Sequence, residues 1–304
     1  MPPFSIVVVT WQSAGHLAAL VESMNRRLDG DPELIVVDNA SDDDPQSAAR
    51  AWRGPASVVR LEANAGYGGA ANVGVARAGS DAVVMLNPDT ELLDSGLGEL
   101  AAFALERDAL VGPRLRNPDG SVQPSASGAP VGAWPWIGAL VPGSLAPPAL
   151  RAWTEPWRLD APVRVAWLTG ACVAGPRSAL LELGPFDPAI EMFGEDLDLG
   201  LRAARVGVQS WFCPTCCELL HHGGASAALR YAAGPEAVVA LTRRAVLRRA
   251  YGPARERRAW LAQRLNLRLR LIAKRALGRD ASRERDALDA ALSAARPPEL
   301  PPLP

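Results

Sequence analysis

Short apolar runs ending in polar or glycine-rich residues, each followed by a segment of helical spacing, alternate through the first 112 residues. Phe4–Val9 is such a run, and Ala14–Arg27 follows it with Leu17, Leu20, Val21 and Met24 on one helical face. Leu34–Val37 leads into Asp38-Asn39 and a helix over Pro45–Trp52, and Val58–Leu61 leads into the glycine-rich segment Gly66–Ala78. Ala82–Leu86 is the fourth run. Apolar strands alternating with helices predict a doubly wound, mostly parallel α/β sheet with helices on both faces. In such sheets a ligand lies beyond the carboxyl ends of the strands. That rule singles out Thr10-Trp11, Asp38–Ser41, Asn64–Gly69 and Asn87–Asp89 as parts of one site.

The pattern loosens into a Pro/Gly/Trp-rich stretch over Pro113–Val163 and then recovers. Regular structure is expected at Val165–Ala174, a helix at Arg177–Leu183, a helix at Glu195–Val206 and a strand at Gln209–Cys213. Helices follow at Pro235–Ala250, Ala254–Leu277 and Ser282–Ala295. The expected organisation is one domain over 1–232, with a regular half to about 112 and a second half from 113. A helical, Arg-rich extension spans 233–296, and a proline tail spans 297–304.

Charge separates the same regions. The chain is nearly neutral at −1, yet residues 240–279 hold 12 arginines and Lys274 against Glu256 alone, so the remainder carries −13. An acidic body repels a long phosphate backbone, which argues against a nucleic-acid partner. Along Ala254–Leu277, Leu261, Leu265, Leu269, Ile272 and Ala276 form one stripe, flanked or opposed by Arg257, Arg258, Arg264, Arg268 and Arg275. That pattern fits either an interfacial helix on an anionic membrane or a core-packing helix with solvated arginines. The N-terminus lacks a signal-peptide n-region, and six prolines interrupt the uncharged stretch Gly120–Leu150. The expectation is a cytoplasmic protein without a membrane span, peripheral on the cytoplasmic face of the plasma membrane. Oligomeric state is open.

Each motif has a chemical and a plain structural reading. Ala65–Asn72 can bring backbone N–H groups to a diphosphate, or make a tight turn into a helix. Asp38 can accept the imide N–H of a pyrimidine, or cap the next helix with Asn39 and Ser41. Asp89, after Asn87 and Pro88, can hold a divalent cation or form an Asx turn. Glu195 and Asp196 can supply a general base, or complement the dipole of the helix they begin. Cys213, Cys216 and Cys217 with His221 and His222 resemble zinc ligands, but buried small apolar side chains are the expected use of these cysteines. His16 is the one other histidine.

Taken in order, Ile6–Trp11, Leu34–Ser41, Asn64–Gly74, Val84–Thr90, Pro113–Gln123, Thr169–Asp187, Phe193–Gly207 and His221–Ser226 resemble a family 2 glycosyltransferase of the GT-A fold. Pro113–Gln123 is especially similar to the rhamnosyltransferase-like bacterial enzymes of cell-wall linkers and surface polysaccharides. The resemblance implies a nucleotide-sugar site at Thr10, Trp11, Asp38, Asn39, Ser41, Asn64, Gly66 and Asn87. It implies Mg²⁺ or Mn²⁺ at Asp89 with His221, His222 being the rival. It implies Asp196 as the base in an inverting displacement, with Glu195 as substitute. The implied donor is a nucleotide-diphosphate sugar, dTDP-L-rhamnose by subgroup, and the implied acceptor a polyprenyl-diphosphate-linked sugar or glycan. Nucleotidyl transfer and a non-catalytic sugar-nucleotide or glycan-binding module are the alternatives.

Overall fold

The computed structural model describes residues 2–141, 148–184, 186–187, 189–190, 193–223, 236–293 and 297–301. Several expectations lie outside those residues: the domain boundary at 232/233, Pro235 as a helix start, Pro142 and Pro147, Pro185 within Thr169–Asp187, the end of His221–Ser226 beyond residue 223, the helix end at 294–295, and the tail over 302–304.

The first half follows the predicted alternation: β1 (Phe4–Thr10), α1 (Ala14–Arg27), β2 (Glu33–Asp38), α2 (Pro45–Arg50), β3 (Ala56–Arg60), α3 (Gly66–Arg77) and β4 (Ala82–Leu86). β1 pairs parallel with β2 and β4, and β2 with β3. Alternate residues of the same strands feed two cores. Ile6, Val8, Leu34, Val36 and Val84 pack with Leu17, Leu20 and Met24 of α1 on one face. Val7, Val9, Ile35, Val37, Val83 and Met85 pack with Ala70, Ala71 and Val75 of α3 on the other. Burial on both faces is why these runs read as continuous apolar segments rather than alternating ones. α3 lies close because Gly74 has no side chain: a Cβ there would stand 2.3 Å from Val7 Cγ1.

Beyond β4 come β5 (Thr90–Leu92), α4 (Leu97–Arg107), β6 (Ala109–Gly112), β7 (Arg114–Arg116) and β8 (Ala126–Ser127). The stretch over 113–163 also contains α5 (Trp134–Leu140) and α6 (Pro148–Thr154). Then follow β9 (Val163–Val165), β10 (Trp167–Leu168), β11 (Cys172–Pro176), α7 (Arg177–Leu183), α8 (Glu195–Arg205), β12 (Gln209–Phe212) and β13 (Glu218–His221). The main sheet has the order β3-β2-β1-β4-β11-β6-β12-β9. β11 runs antiparallel to both β4 and β6, so the parallel sheet is interrupted at its centre. A small sheet, β5-β13-β7, stands apart from it.

Three helices end the chain: α9 (Glu236–Tyr251), α10 (Pro253–Ala276) and α11 (Ser282–Ser293). Arg249 of α9 ties them to the body by pairing with Asp187 and with Asp198 of α8, and Asp198 also accepts from Arg202 at 2.6 Å. α10 turns Ala259, Trp260 and Ala262 inward and leaves Leu261, Leu269 and Ile272 exposed at 48%, 38% and 64%.

Cys213, Cys216 and Cys217 are buried in the core as expected, but two of them are bridged. Cys213 and Cys216 form a disulfide with Cα atoms 5.5 Å apart, while Cys172 and Cys217 are free and buried. The turn Cys213-Pro-Thr-Cys216 after β12 brings the two sulfurs together, which geometry a three-residue separation allows.

Candidate active site

The four strand ends converge as the sheet rule requires. Thr10, Asp38, Asn39 and Ser41 are all buried. Asp38 spends one oxygen on the Ser41 N–H at 2.9 Å and the other on Arg60 at 2.9 Å. Thr10 Oγ1 shares a hydrogen bond with Ser13 Oγ at 2.9 Å, and Trp11 N–H donates to Ser13 Oγ at 3.3 Å. Ser41 Oγ accepts from Gln12 N–H at 3.1 Å, so the turns after β1 and β2 brace each other. Asn39 reaches to the glycine-rich turn: its amide donates to Asn64 Oδ1 and the Gly66 carbonyl, and its oxygen accepts from Ala65 N–H at 2.8 Å. Gly66, at φ +72°, takes a backbone form that suits glycine, and Asn64 Oδ1 caps its N–H at 2.9 Å.

Asn87 continues β4 through a backbone bond to Ala171 and accepts the Thr90 hydroxyl on its carbonyl at 2.7 Å. This closes the turn that turns Asp89 inward, where it is 7% exposed. The small sheet completes the cluster. His221 of β13 sits opposite Thr90 of β5, and His221 Nε2 faces Asp89 Oδ1 at 3.5 Å. His222 instead contacts Glu91 at 2.8 Å. Burial opposes ionisation of Asp89, but contact with His221 outweighs it and holds the carboxyl below its usual range. His16, at the start of α1, lies with its ring 5.9 Å from His222, so all three histidines gather here.

An oxygen and a nitrogen 3.5 Å apart fit a shared divalent ion. Two ligand atoms each about 2.1 Å from an octahedral ion stand roughly 3 Å apart, a closure of a few tenths of an ångström. Among the described residues no cluster of three His, Cys, Asp or Glu forms a metal site. Further ligands would come from phosphate oxygens and water, as suits a cation that works on substrate phosphates.

Across from this pair stands the start of α8. Phe193 and Gly194 both have positive φ, at 63° and 97°, and that turn opens α8 with Glu195 and Asp196 in its first turn. Asp196 accepts from Leu197 N–H at 2.7 Å and Gly170 N–H at 3.4 Å. Glu195 Oε2 is enclosed without a hydrogen-bond partner. Burial and then the neighbouring Asp196 charge push Glu195 up to about 8. Burial also raises Asp196, opposed by the Leu197 and Gly170 N–H groups and by Arg243. Asp198 belongs to the Arg202 and Arg249 pairs and takes no place in the crevice.

Three residues enter that the sequence reading did not single out. Tyr67 donates to the Gly170 carbonyl at 3.2 Å. Burial first, then the charges of Glu195, Cys172, Asp196 and Asp89, push its phenol upward. Arg243 of α9 faces Asp196 with its Nε enclosed and unpartnered. Gln123 Oε1 contacts His221 Nδ1 at 2.7 Å. Tyr67 and Gln123 lie inside segments already marked, Ala65–Asn72 and Pro113–Gln123, where Tyr67 is the one aromatic of its segment and Gln123 is one of several polar side chains. Nothing local in the sequence marks Arg243 among its neighbouring arginines.

The profile of the family described as Glycosyl transferase family 2 matches residues 5–137. An N-acetylglucosaminyl-diphospho-decaprenol L-rhamnosyltransferase of Mycobacterium tuberculosis is 32% identical over 240 residues, covering 71% of this chain and 75% of that one. The O-antigen biosynthesis protein RfbC of Myxococcus xanthus is 29% identical over 235 residues, 74% of this chain and 18% of that protein. In architecture the chain is similar to a mannosyltransferase of Pyrobaculum calidifontis, solved with GDP-Man and Mn²⁺, at a TM-score of 0.57 and 17% identity over 97% of this chain and 81% of that one. The fold is therefore GT-A, with a C-terminal helical region added.

Proposed function

The chain belongs to glycosyl transferase family 2, and from that premise we propose that this glycosyltransferase moves L-rhamnose from dTDP-L-rhamnose to a polyprenyl-diphosphate-linked sugar, with inversion. The observation that carries the reading is the segment Gly170-Ala171, which donates its Gly170 N–H to Asp196 and accepts the Asn87 N–H, two residues before Asp89, on the Ala171 carbonyl. One crevice thus holds a base for an acceptor hydroxyl and an anchor for a departing diphosphate.

Asp196 is the base. Its raised pKa suits proton abstraction near neutral pH, and Glu195, neutral below about 8, does not compete for the role. The acceptor oxygen bonds to the anomeric carbon, its proton passes to an Asp196 oxygen, and the bond to diphosphate breaks with its electron pair on the leaving oxygen. Asp89 and His221 would hold Mg²⁺ or Mn²⁺, which neutralises charge on that diphosphate. His222, turned to Glu91, is the weaker ligand candidate. Thr10, Trp11, Asp38, Asn39 and Ser41 frame the nucleoside end, with Asn64, Gly66 and Asn87 at its rim. Both Asp38 oxygens already accept a bond, so a base N–H would share one of them. Arg243 fits an anionic group beside Asp196 and suits the acceptor diphosphate.

The relative from M. tuberculosis is named for a decaprenol-linked substrate, and the exposed stripe of α10 is consistent with one. We assign Leu261, Leu269 and Ile272, with Arg257, Arg258, Arg268 and Arg275 around them, to an anionic membrane surface on the cytoplasmic side. No helix among the described residues is long and apolar enough to cross a membrane.

A thermal-unfolding panel of nucleotide sugars, each with and without Mn²⁺, tests the donor. A donor at about 100 times its dissociation constant adds roughly 2.7 kcal/mol. The reading expects dTDP-rhamnose to stabilise in a metal-dependent way that Asp89→Ala abolishes; preference for another nucleotide sugar overturns the donor assignment.

A further inference from the structure

The hairpin over 117–123 supplies no cation ligand or base of its own, yet its side chains form one hydrogen-bonded line that ends on His221. It starts at Asp119 Oδ1, which accepts the Ser121 hydroxyl at 2.6 Å and the Ser121 N–H at 2.9 Å. A carboxylate cannot donate, so the direction of the line is set at its first member. With its proton committed, Ser121 Oγ accepts from Asn117 Nδ2 at 2.9 Å. Asn117 then presents its oxygen to Gln123 Nε2 at 2.9 Å. Gln123 in turn presents Oε1, a pure acceptor, to His221 Nδ1 at 2.7 Å. The polarity that satisfies every contact puts a proton on Nδ1.

The hairpin is also fastened to the strand that carries His221. Arg116 makes a two-pronged bond to Glu218 of β13, at 2.9 and 2.7 Å, and a third to the Gly120 carbonyl at 3.0 Å. The turn closes through Asn117 N–H to the Ser121 carbonyl at 2.8 Å, with Gly120 at φ +80°. Rotation of the Gln123 side chain away from His221 would also give up its bond to Asn117, whose place the braced turn fixes.

We infer that Gln123 is a positioning residue for the cation: its carbonyl, oriented from Asp119 through Ser121 and Asn117, holds the Nδ1–H form of His221 and leaves the Nε2 lone pair for the ion beside Asp89. This rests on the assignment of Asp89 and His221 as cation ligands. Outer partners of this kind fix ring orientation and the ligating nitrogen, and their loss weakens metal binding by about 10- to 100-fold.

The test uses the full chain, dTDP and Mn²⁺, with free Mn²⁺ followed by electron paramagnetic resonance. Gln123→Leu is expected to weaken Mn²⁺ binding about 10- to 100-fold, while Gln123→Glu, which keeps an acceptor oxygen, stays within about threefold of the parent. Asn117→Ala frees the Gln123 amide to turn over without touching the histidine; it is expected to weaken binding in the same direction and carries the test if the leucine variant does not fold. A second readout needs no metal affinity. With Mg²⁺ and dTDP bound, long-range ¹H–¹⁵N spectra of the three histidines should show His221 protonated at Nδ1, and the leucine variant should lose that signature. Unchanged Mn²⁺ binding in folded Gln123→Leu, with binding lost in His221→Ala, overturns the role of Gln123 alone. Unchanged binding in His221→Ala overturns the cation assignment and this inference with it.

Discussion

Glu195 is isolated in a way that a pH series can read. Its Oε2 is enclosed without a partner, and burial together with the Asp196 charge raises it from 4.5 to about 8. Between those values the folded chain keeps a proton that the unfolded chain has released, so stability falls as pH rises. One such group gives a slope of up to about 1.4 kcal/mol per pH unit. Glu195 keeps some surface, and halving the slope for solvent gives about 1.7 kcal/mol lost from pH 5 to 7.5. For a chain of this size that is a fall in Tm of about 3 °C. Glu195→Gln has nearly the same shape and cannot titrate, so its stability should exceed the parent's increasingly toward pH 8. Chemical denaturation of both proteins at pH 5, 6, 7 and 8 checks this. A slope remains in the variant because Asp196 is raised too. Parallel profiles for parent and variant would refute the neutral state of Glu195 and return it to contention as the base.

Asp196→Asn should lower turnover by about 10²- to 10⁴-fold with donor affinity kept, measured by product formation beside nucleotide titration; equal loss of both in a folded variant removes Asp196 from the base role. Arg249→Leu should cost about 1.5–3 kcal/mol in urea unfolding, because buried Asp198 would keep Arg202 alone and half-buried Asp187 would lose its guanidinium partner. A change under about 1 kcal/mol would mean that water reaches those carboxylates. Vesicle sedimentation of the full chain should rise with anionic lipid and fall in Ile272→Glu; binding indifferent to lipid charge would detach α10 from the membrane.

Local chemistry made the elements with a clear period legible. α1, β4 and α7 have the boundaries their residues predict, since each has its period and its punctuation within a few positions. β11 was read as regular structure, but its antiparallel place between β4 and β6 was not, because strand direction is decided by partners distant in sequence. The small sheet was hidden for the same reason. Strands of three and four residues show no period, and His221 meets Asp89 and Gln123 only when β5, β7 and β13 assemble. Asp89, Glu195 and Asp196 could be named from the sequence as polar groups at strand ends and a helix start. Their electrostatic states could not, since these depend on burial and on Arg243 and His221 arriving from α9 and β13. The disulfide of Cys213 and Cys216 was missed because spacing alone does not separate a pair of thiols from a bridge.

Group transfer by inversion at Asp89 and Asp196 leaves its mark on the product. It is tested most directly by incubating the full chain with dTDP-β-L-rhamnose, Mn²⁺ and a synthetic polyprenyl-diphosphate-linked N-acetylglucosamine, then reading the anomeric coupling of the product by NMR. The account predicts an α-linked rhamnosyl product from the parent and at least about 100-fold less from Asp196→Asn. A β-linked product, or equal product from Asp196→Asn, would contradict it.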